Sequence, residues 1–220
     1  MERHKAAHRR PEAYARGKML RHGSGRVKIL PFALAAAIIT MAFFGAAAIL
    51  SFIDRRMHPI RYAVYVDYYS GVYGVPEETV YAVMLTESRF DCDAVSRAGA
   101  CGLMQLMPET YESVSIELGR VPDEILIFDP GTNICCGVYL LSKLYSKYGS
   151  WDTAYAAYNA GEAAVDSWLS DSRYSESGKL THIPYSETAG YVKKVRCAAE
   201  SYKKIYGFGN GSGQNTGEGQ

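Results

Sequence analysis

A run of 25 residues without a charge, "ILPFALAAAIITMAFFGAAAILSFI" from Ile29 to Ile53, constrains this chain more than any other feature. At about 1.5 Å of rise per residue, a helix of that length crosses the roughly 30 Å hydrocarbon layer of a bilayer with some tilt. A buried core helix rarely stays uncharged for so long, so the segment reads as a transmembrane anchor. Residues 1–28 hold nine Lys/Arg against two acids, and only Arg55, Arg56 and Arg61 follow closely. That asymmetry predicts a cytoplasmic N-terminus, with the rest of the chain on the outer side of the membrane. A cleaved signal peptide competes, since Ala46 and Ala48 give an A-x-A arrangement. The long basic region and the continuation of the apolar run favour an uncleaved anchor, and either reading exports the domain.

The basic arm contributes +7 of a whole-chain +1, which leaves −6 for the remainder. An acidic folded part argues against nucleic acid as a partner, because a phosphate backbone needs basic surface on the domain itself. Five cysteines (Cys92, Cys101, Cys135, Cys136, Cys197) form no C-x-x-C pair, and His182 is the one histidine well inside the domain. No metal site and no cofactor are expected from so few ligands. Outside the membrane a disulfide is permitted, with Cys92 and Cys101 the first pair to consider; five reduced thiols are the equal alternative.

Past Arg56 the punctuation is helical. Val75-Pro76-Glu77-Glu78 and Asp129-Pro130 open helices, while Gly119, Gly149 and Gly207 stand where left-handed C-terminal caps belong. Ile134, Val138, Leu141, Tyr145 and Tyr148 recur at helical spacing, as do Tyr191, Val195, Ala198, Tyr202 and Ile205. The fold class predicted is all-α. The polar stretch from Ser170 to Pro184 reads as a surface loop, and the glycine-rich C-terminus as disordered. The organisation is a basic arm (1–28), an anchor (29–53), a linker (54–59), a helical domain (60–206) and a tail (207–220).

Val80, Val83, Met84 and Glu87 fall at i, i+3, i+4 and i+7 of a helix beginning near Pro76, so a carboxylate shares a face with three apolar residues. Burial and the negative end of the helix dipole both raise such a carboxyl's pKa, which suits a proton donor near neutrality. A structural hydrogen-bond network would place a glutamate there equally well.

The residues that follow add weight. Glu87-Ser88 with Phe90, then Ser96 through Pro108 (S-x-x-G-A-x-G-L-M-Q-L-M-P), then Ala157-Tyr158-Asn159-Ala160-Gly161, then Pro184-Tyr185-Ser186-Glu187-Thr188-Ala189-Gly190-Tyr191-Val192 stand in order. This set resembles the Slt-type lytic transglycosylases, a goose-type-lysozyme-like family that cleaves peptidoglycan glycan strands. The similarity covers about residues 60–206. Cys92 departs from the pattern where proline is frequent, and Cys101 occupies a variable place in the glycine motif.

The resemblance implies a lysozyme-like helical fold, peptidoglycan strands as partner, and Glu87 as the single catalytic residue. It would act first as acid on the glycosidic oxygen, then as base on the C6 hydroxyl of N-acetylmuramic acid, closing a 1,6-anhydro ring. The resemblance also implies a substrate-binding set: Ser96, Gly102 beside Gly99, Met104 and Gln105 lining the cleft, Tyr158 and Asn159 on its wall, and Glu187 with Tyr191. Leu103 and Leu106 read as core, and Glu187 could equally cap the last helix. A hydrolytic lysozyme and a catalytically idle glycan-binding protein are the competing functions. Candidate second carboxylates for hydrolysis are Asp91, Asp93, Glu109 and Glu112.

Overall fold

Pro76 and the acids Glu77 and Glu78 start the helix around which the domain is arranged, α3 (Glu77–Glu87). In this computed structural model, which describes residues 29–208, the residues Thr79 to Met84 of α3 are all buried. The sequence pattern suggested one apolar face; instead the helix is buried nearly all round, as a central helix must be. Among its buried residues, Val80, Val83 and Met84 each contribute about 1.5–3 kcal/mol. The basic arm and residues 209–220 of the tail lie outside the described residues.

The chain divides into two compact units, Met1–Ala46 and Ala47–Gln220. Helix α1 (Ile29–Met57) runs through residues 54–57, expected in a linker. Its stretch Ile38–Met57 is long and apolar enough to cross a membrane.

In the second unit α2 (Ala63–Tyr73) is followed by α3, α4 (Pro108–Glu117), a 3-10 turn (Glu124–Phe128), α5 (Pro130–Tyr148), α6 (Trp151–Ala160), α7 (Glu162–Ser170) and α8 (Ser186–Tyr206). Helix α8 lies along α3, α5 packs on α2 and α6, and α6 also meets α8. The all-α class is the one observed. The punctuation holds at particular positions: Asp129 caps α5 by accepting from Thr132 N at 2.8 Å, and Gly149 and Gly207 end α5 and α8 in the left-handed region.

Two details differ from the sequence reading. Within the stretch read as a loop, β1 (Ser175–Glu176) and β2 (Lys179–Leu180) form an antiparallel hairpin. Ser177 and Gly178 both have positive φ, the turn such a short hairpin requires. Its strands are too short and too polar to show alternation. Tyr145, placed in a core stripe, is 39% exposed and stacks on Trp151 at 4.2 Å.

Candidate active site

Glu87 is the last residue of α3, and Ser88 turns the chain away from it. The Ser88 hydroxyl donates to Leu103 O at 2.8 Å and accepts from Phe90 N at 3.1 Å. Arg89 and Phe90 both take positive φ, 54° and 66°. Left-handed backbone costs about 1–2 kcal/mol per non-glycine residue, and burying the Phe90 ring offsets that cost.

The chain then folds into a loop fastened by Asn133, a fully buried side chain of α5. Its Oδ1 accepts from Met104 N at 2.8 Å, and its Nδ2 donates to Cys101 O and Ile127 O at 3.1 and 2.7 Å. Gly102, at φ 77°, lies so close that a Cβ there would stand 2.3 Å from Asn133 Nδ2. Gln105, also at positive φ, donates its amide to Ala94 O and Gly102 O at 3.0 and 2.9 Å.

Against this frame α8 brings Tyr191, whose hydroxyl donates to Glu87 Oε1 at 2.6 Å. Helix α6 brings Tyr158, whose hydroxyl donates to Met104 O at 2.8 Å. Thr188, one turn before Tyr191, donates to Asn159 Oδ1 at 2.9 Å. Asn159, Glu187 and Thr188 share an open depression of about 500 Å³ with Pro184 and Tyr185.

Burial raises the Glu87 carboxyl to about 7, and the Tyr191 hydrogen bond pulls the other way. Tyr158 and Tyr191 are held well above the usual tyrosine value by burial first and the Glu87 charge second, so both remain hydrogen-bond donors. A carboxyl balanced near neutrality can release a proton in one step and take one in the next. Among the described residues no other carboxylate contributes to its shift. Asp91, Asp93, Glu109 and Glu112 are all exposed, and the last two line a separate cavity of about 570 Å³ with Cys101 and Phe128.

The expectations for Met104 and for the Cys92–Cys101 pair need correction. Met104 is fully buried, with its side chain against Gly137, so it supports the loop as core and cannot line the cleft. The Gln105 amide nitrogen is used by backbone carbonyls, although the residue borders a small cavity with Tyr158. Ser96 caps its own turn by accepting from Ala100 N at 2.9 Å. Cys92 and Cys101 are free thiols: Cys101 Sγ donates to Gly99 O at 3.2 Å, while Cys92 faces the Tyr62 hydroxyl. Leu103 and Leu106 are core, as expected. No group of three or more His, Cys, Asp or Glu side chains is placed to hold a metal among the described residues.

Ser88, Asn133 and Thr188 were not singled out in the sequence. Asn133 carried a signal, a polar residue next to the apolar stripe of α5, whereas Ser88 and Thr188 stood inside quoted motifs.

The chain is 36% identical over 140 residues to the soluble lytic murein transglycosylase of Escherichia coli, and 36% to that of Salmonella typhimurium. The match takes in 60% of this chain and 21% of the relative, so the chain spans about a fifth of the length of these curated relatives. The 70-kDa soluble lytic transglycosylase of E. coli superposes with a TM-score of 0.64 at 30% identity, over 70% of this chain and 26% of that one. A 70-kDa soluble lytic transglycosylase solved as a complex with bulgecin A gives a TM-score of 0.64 at 31% identity, over 70% of this chain and 26% of that one. The lytic transglycosylase Slt of Pseudomonas aeruginosa, an inactive mutant with glutamine in place of a glutamate, gives 0.61 at 32% identity, over 68% and 25% of the two chains. The family model matches residues 65–180, from α2 to β2, and so takes in Glu87, its loop, Asn133 and Tyr158. The chain therefore belongs to the Transglycosylase SLT domain family.

Proposed function

We propose that this chain is a membrane-anchored lytic transglycosylase that cuts the β-1,4 bond between N-acetylmuramic acid and N-acetylglucosamine in peptidoglycan. The observation that carries the reading is Glu87: one carboxyl, raised to about 7 by burial and held by Tyr191, without a charged partner among the described residues. Hydrolytic glycosidases of the common kinds divide the work between two carboxylates about 5–9.5 Å apart. A lone acid suits a reaction in which the substrate supplies the nucleophile.

Protonated Glu87 gives its proton to the glycosidic oxygen as the bond to the muramic acid C1 breaks, and the 2-acetamido carbonyl oxygen attacks C1. The Glu87 carboxylate then takes the proton of the C6 hydroxyl. O6 displaces the acetamido oxygen from C1, which restores the N-acetyl group and leaves a 1,6-anhydro end. Glu87 finishes protonated, and no water is consumed. Tyr191 steadies the carboxylate between the steps, and the Thr188-held Asn159 is the nearest candidate for orienting a sugar.

Helix α1 would anchor the protein, with the basic arm inside the cell and the domain outside. Products from purified peptidoglycan should be lighter than hydrolytic ones by one water and should take no label from heavy-oxygen water. A label at the anomeric carbon would identify a lysozyme. Protease added to intact spheroplasts should digest the domain from Tyr62 onward, and protection of that domain would overturn the topology.

A further inference from the structure

The stretch between α1 and α2 is clamped. His58 Nδ1 lies 3.0 Å from Asp54 O in the last turn of α1. The next two carbonyls are each taken by a tyrosine of α8: Tyr206 donates to His58 O at 2.7 Å and Tyr202 to Pro59 O at 3.0 Å. The His58 ring stands edge-on to Tyr202 at 5.3 Å, and the Arg55 guanidinium lies 5.6 Å from the Tyr206 ring centre. Tyr202 is itself fully buried and stacks on Tyr81 of α3 at 5.3 Å.

The helices that make this clamp also make the site. Tyr191 and Tyr202 are about three turns apart on α8, so they share a face and stand about 16 Å from one another along the axis. Tyr81 precedes Glu87 on α3 by about 9 Å of helix. By either route the carboxyl of Glu87 lies on the order of 20 Å from the carbonyls where α1 ends. Arg55 and Arg56 close the apolar part of α1 in that same turn, where interfacial charges belong.

We propose that the Tyr202–Tyr206 clamp fixes the Glu87 site within about 20–30 Å of the membrane surface. The strands it cuts are then those lying against the membrane. A membrane-bound glycosyl-transfer reaction that polymerises glycan must supply them, and the wall layer standing further off is beyond reach. This rests on the reading that α1 spans a membrane and that Glu87 cuts glycan.

The test uses the full chain in lipid vesicles. Cys197, an exposed thiol on α8 between Tyr191 and Tyr202, carries a fluorescent donor in a Cys92→Ser background, and acceptors sit on the lipid headgroups. A variant with about forty Gly/Ser residues inserted between Met57 and His58 keeps the two tyrosine hydrogen bonds but adds roughly 35 Å of reach. Energy transfer should fall at least about twofold in that variant. Tyr202→Phe with Tyr206→Phe, which keeps both rings, should broaden the donor–acceptor distance distribution. The original chain should prefer glycan polymerised on the same vesicles over purified insoluble peptidoglycan added outside by about tenfold or more, and the insertion should largely erase that preference. Transfer no higher than in the insertion variant, an unchanged distribution in the double variant, or equal use of both substrates overturns the clamp's role. Detergent-solubilised protein that fails on soluble glycan would refute the transglycosylase reading separately, while the transfer measurement still decides the clamp. Protein that does not partition into vesicles refutes the anchor, and this inference with it.

Discussion

Replacing Glu87 by Gln should stabilise the folded chain at alkaline pH and leave its stability unchanged at acid pH. Burial holds the folded carboxyl at about 7, against an ordinary value of 4.5 when the chain unfolds. Below 4.5 both states keep the proton, and the native group's full contribution is present. Between 4.5 and about 7 the unfolded chain ionises while the folded one does not, so stability falls as pH rises; above about 7 the loss is complete. The gap, at 1.36 kcal/mol per unit, sets an upper value of about 3 kcal/mol. Gln does not titrate, fills nearly the same volume and can still accept from Tyr191. The variant should therefore match the original near pH 4 and exceed it by up to about 3 kcal/mol near pH 8.5, or about 6–12 °C in Tm for a domain of this size. Thermal unfolding of both full chains in detergent, followed by far-ultraviolet circular dichroism across that range, measures it. A difference independent of pH would show that Glu87 is not held neutral by burial. The same variant should lose cleavage by at least the 10²–10⁴-fold typical of an acid–base group.

Tyr191→Phe removes the hydrogen bond that favours the ionised carboxyl, so the alkaline limb of kcat/KM should move upward by about one pH unit; an unmoved limb in a pH–rate series would remove Tyr191 from the acid's control. Thr188→Val releases Asn159 and should raise KM about 3–10-fold with a smaller change in kcat, and an unchanged KM would mean that Asn159 does not position sugar. Asn133→Ala leaves Met104 N, Cys101 O and Ile127 O without their shared partner, a loss of about 3–5 kcal/mol in denaturant unfolding; a loss below about 1 kcal/mol would show the loop to be held by other means.

How far the site was legible depended on how far apart its parts lie in the chain. Glu87 could be read from its own helix, since the apolar spacing, the helix end and the glycine turn are all local. Even so, the one-face pattern understated a helix buried nearly all round, because burial on the second side comes from α8, which begins about a hundred residues later. Met104 shows the opposite error. Its neighbours in the motif made it a sugar contact, but the bare surface of Gly137 on α5 takes its side chain, and a loop sequence gives no sign of which helix lies beneath it. Cys92 and Cys101 were adjacent enough in sequence for a bridge, yet the loop turns the Cys101 thiol onto Gly99 O and the Cys92 thiol toward the Tyr62 hydroxyl.

The least legible feature is the one the chemistry depends on most. A buried carboxyl alone would rise in pKa until it kept its proton and could serve only as an acid. The Tyr191 hydroxyl, from a helix 104 residues away in the chain, opposes that rise and returns Glu87 to about 7. Tyr191 is also the residue whose turn carries Thr188, and through it Asn159. Its helix continues to Tyr202 and Tyr206, which grip the end of α1. A displacement of α8 would thus shift the proton balance of the acid and the hold on Asn159 together, and it would loosen the connection to α1 at the same time. Tyr191 and Tyr202 read as core positions at helical spacing, and both are buried; their hydroxyls, which periodicity does not register, link the Glu87 carboxyl and the end of α1 through one helix.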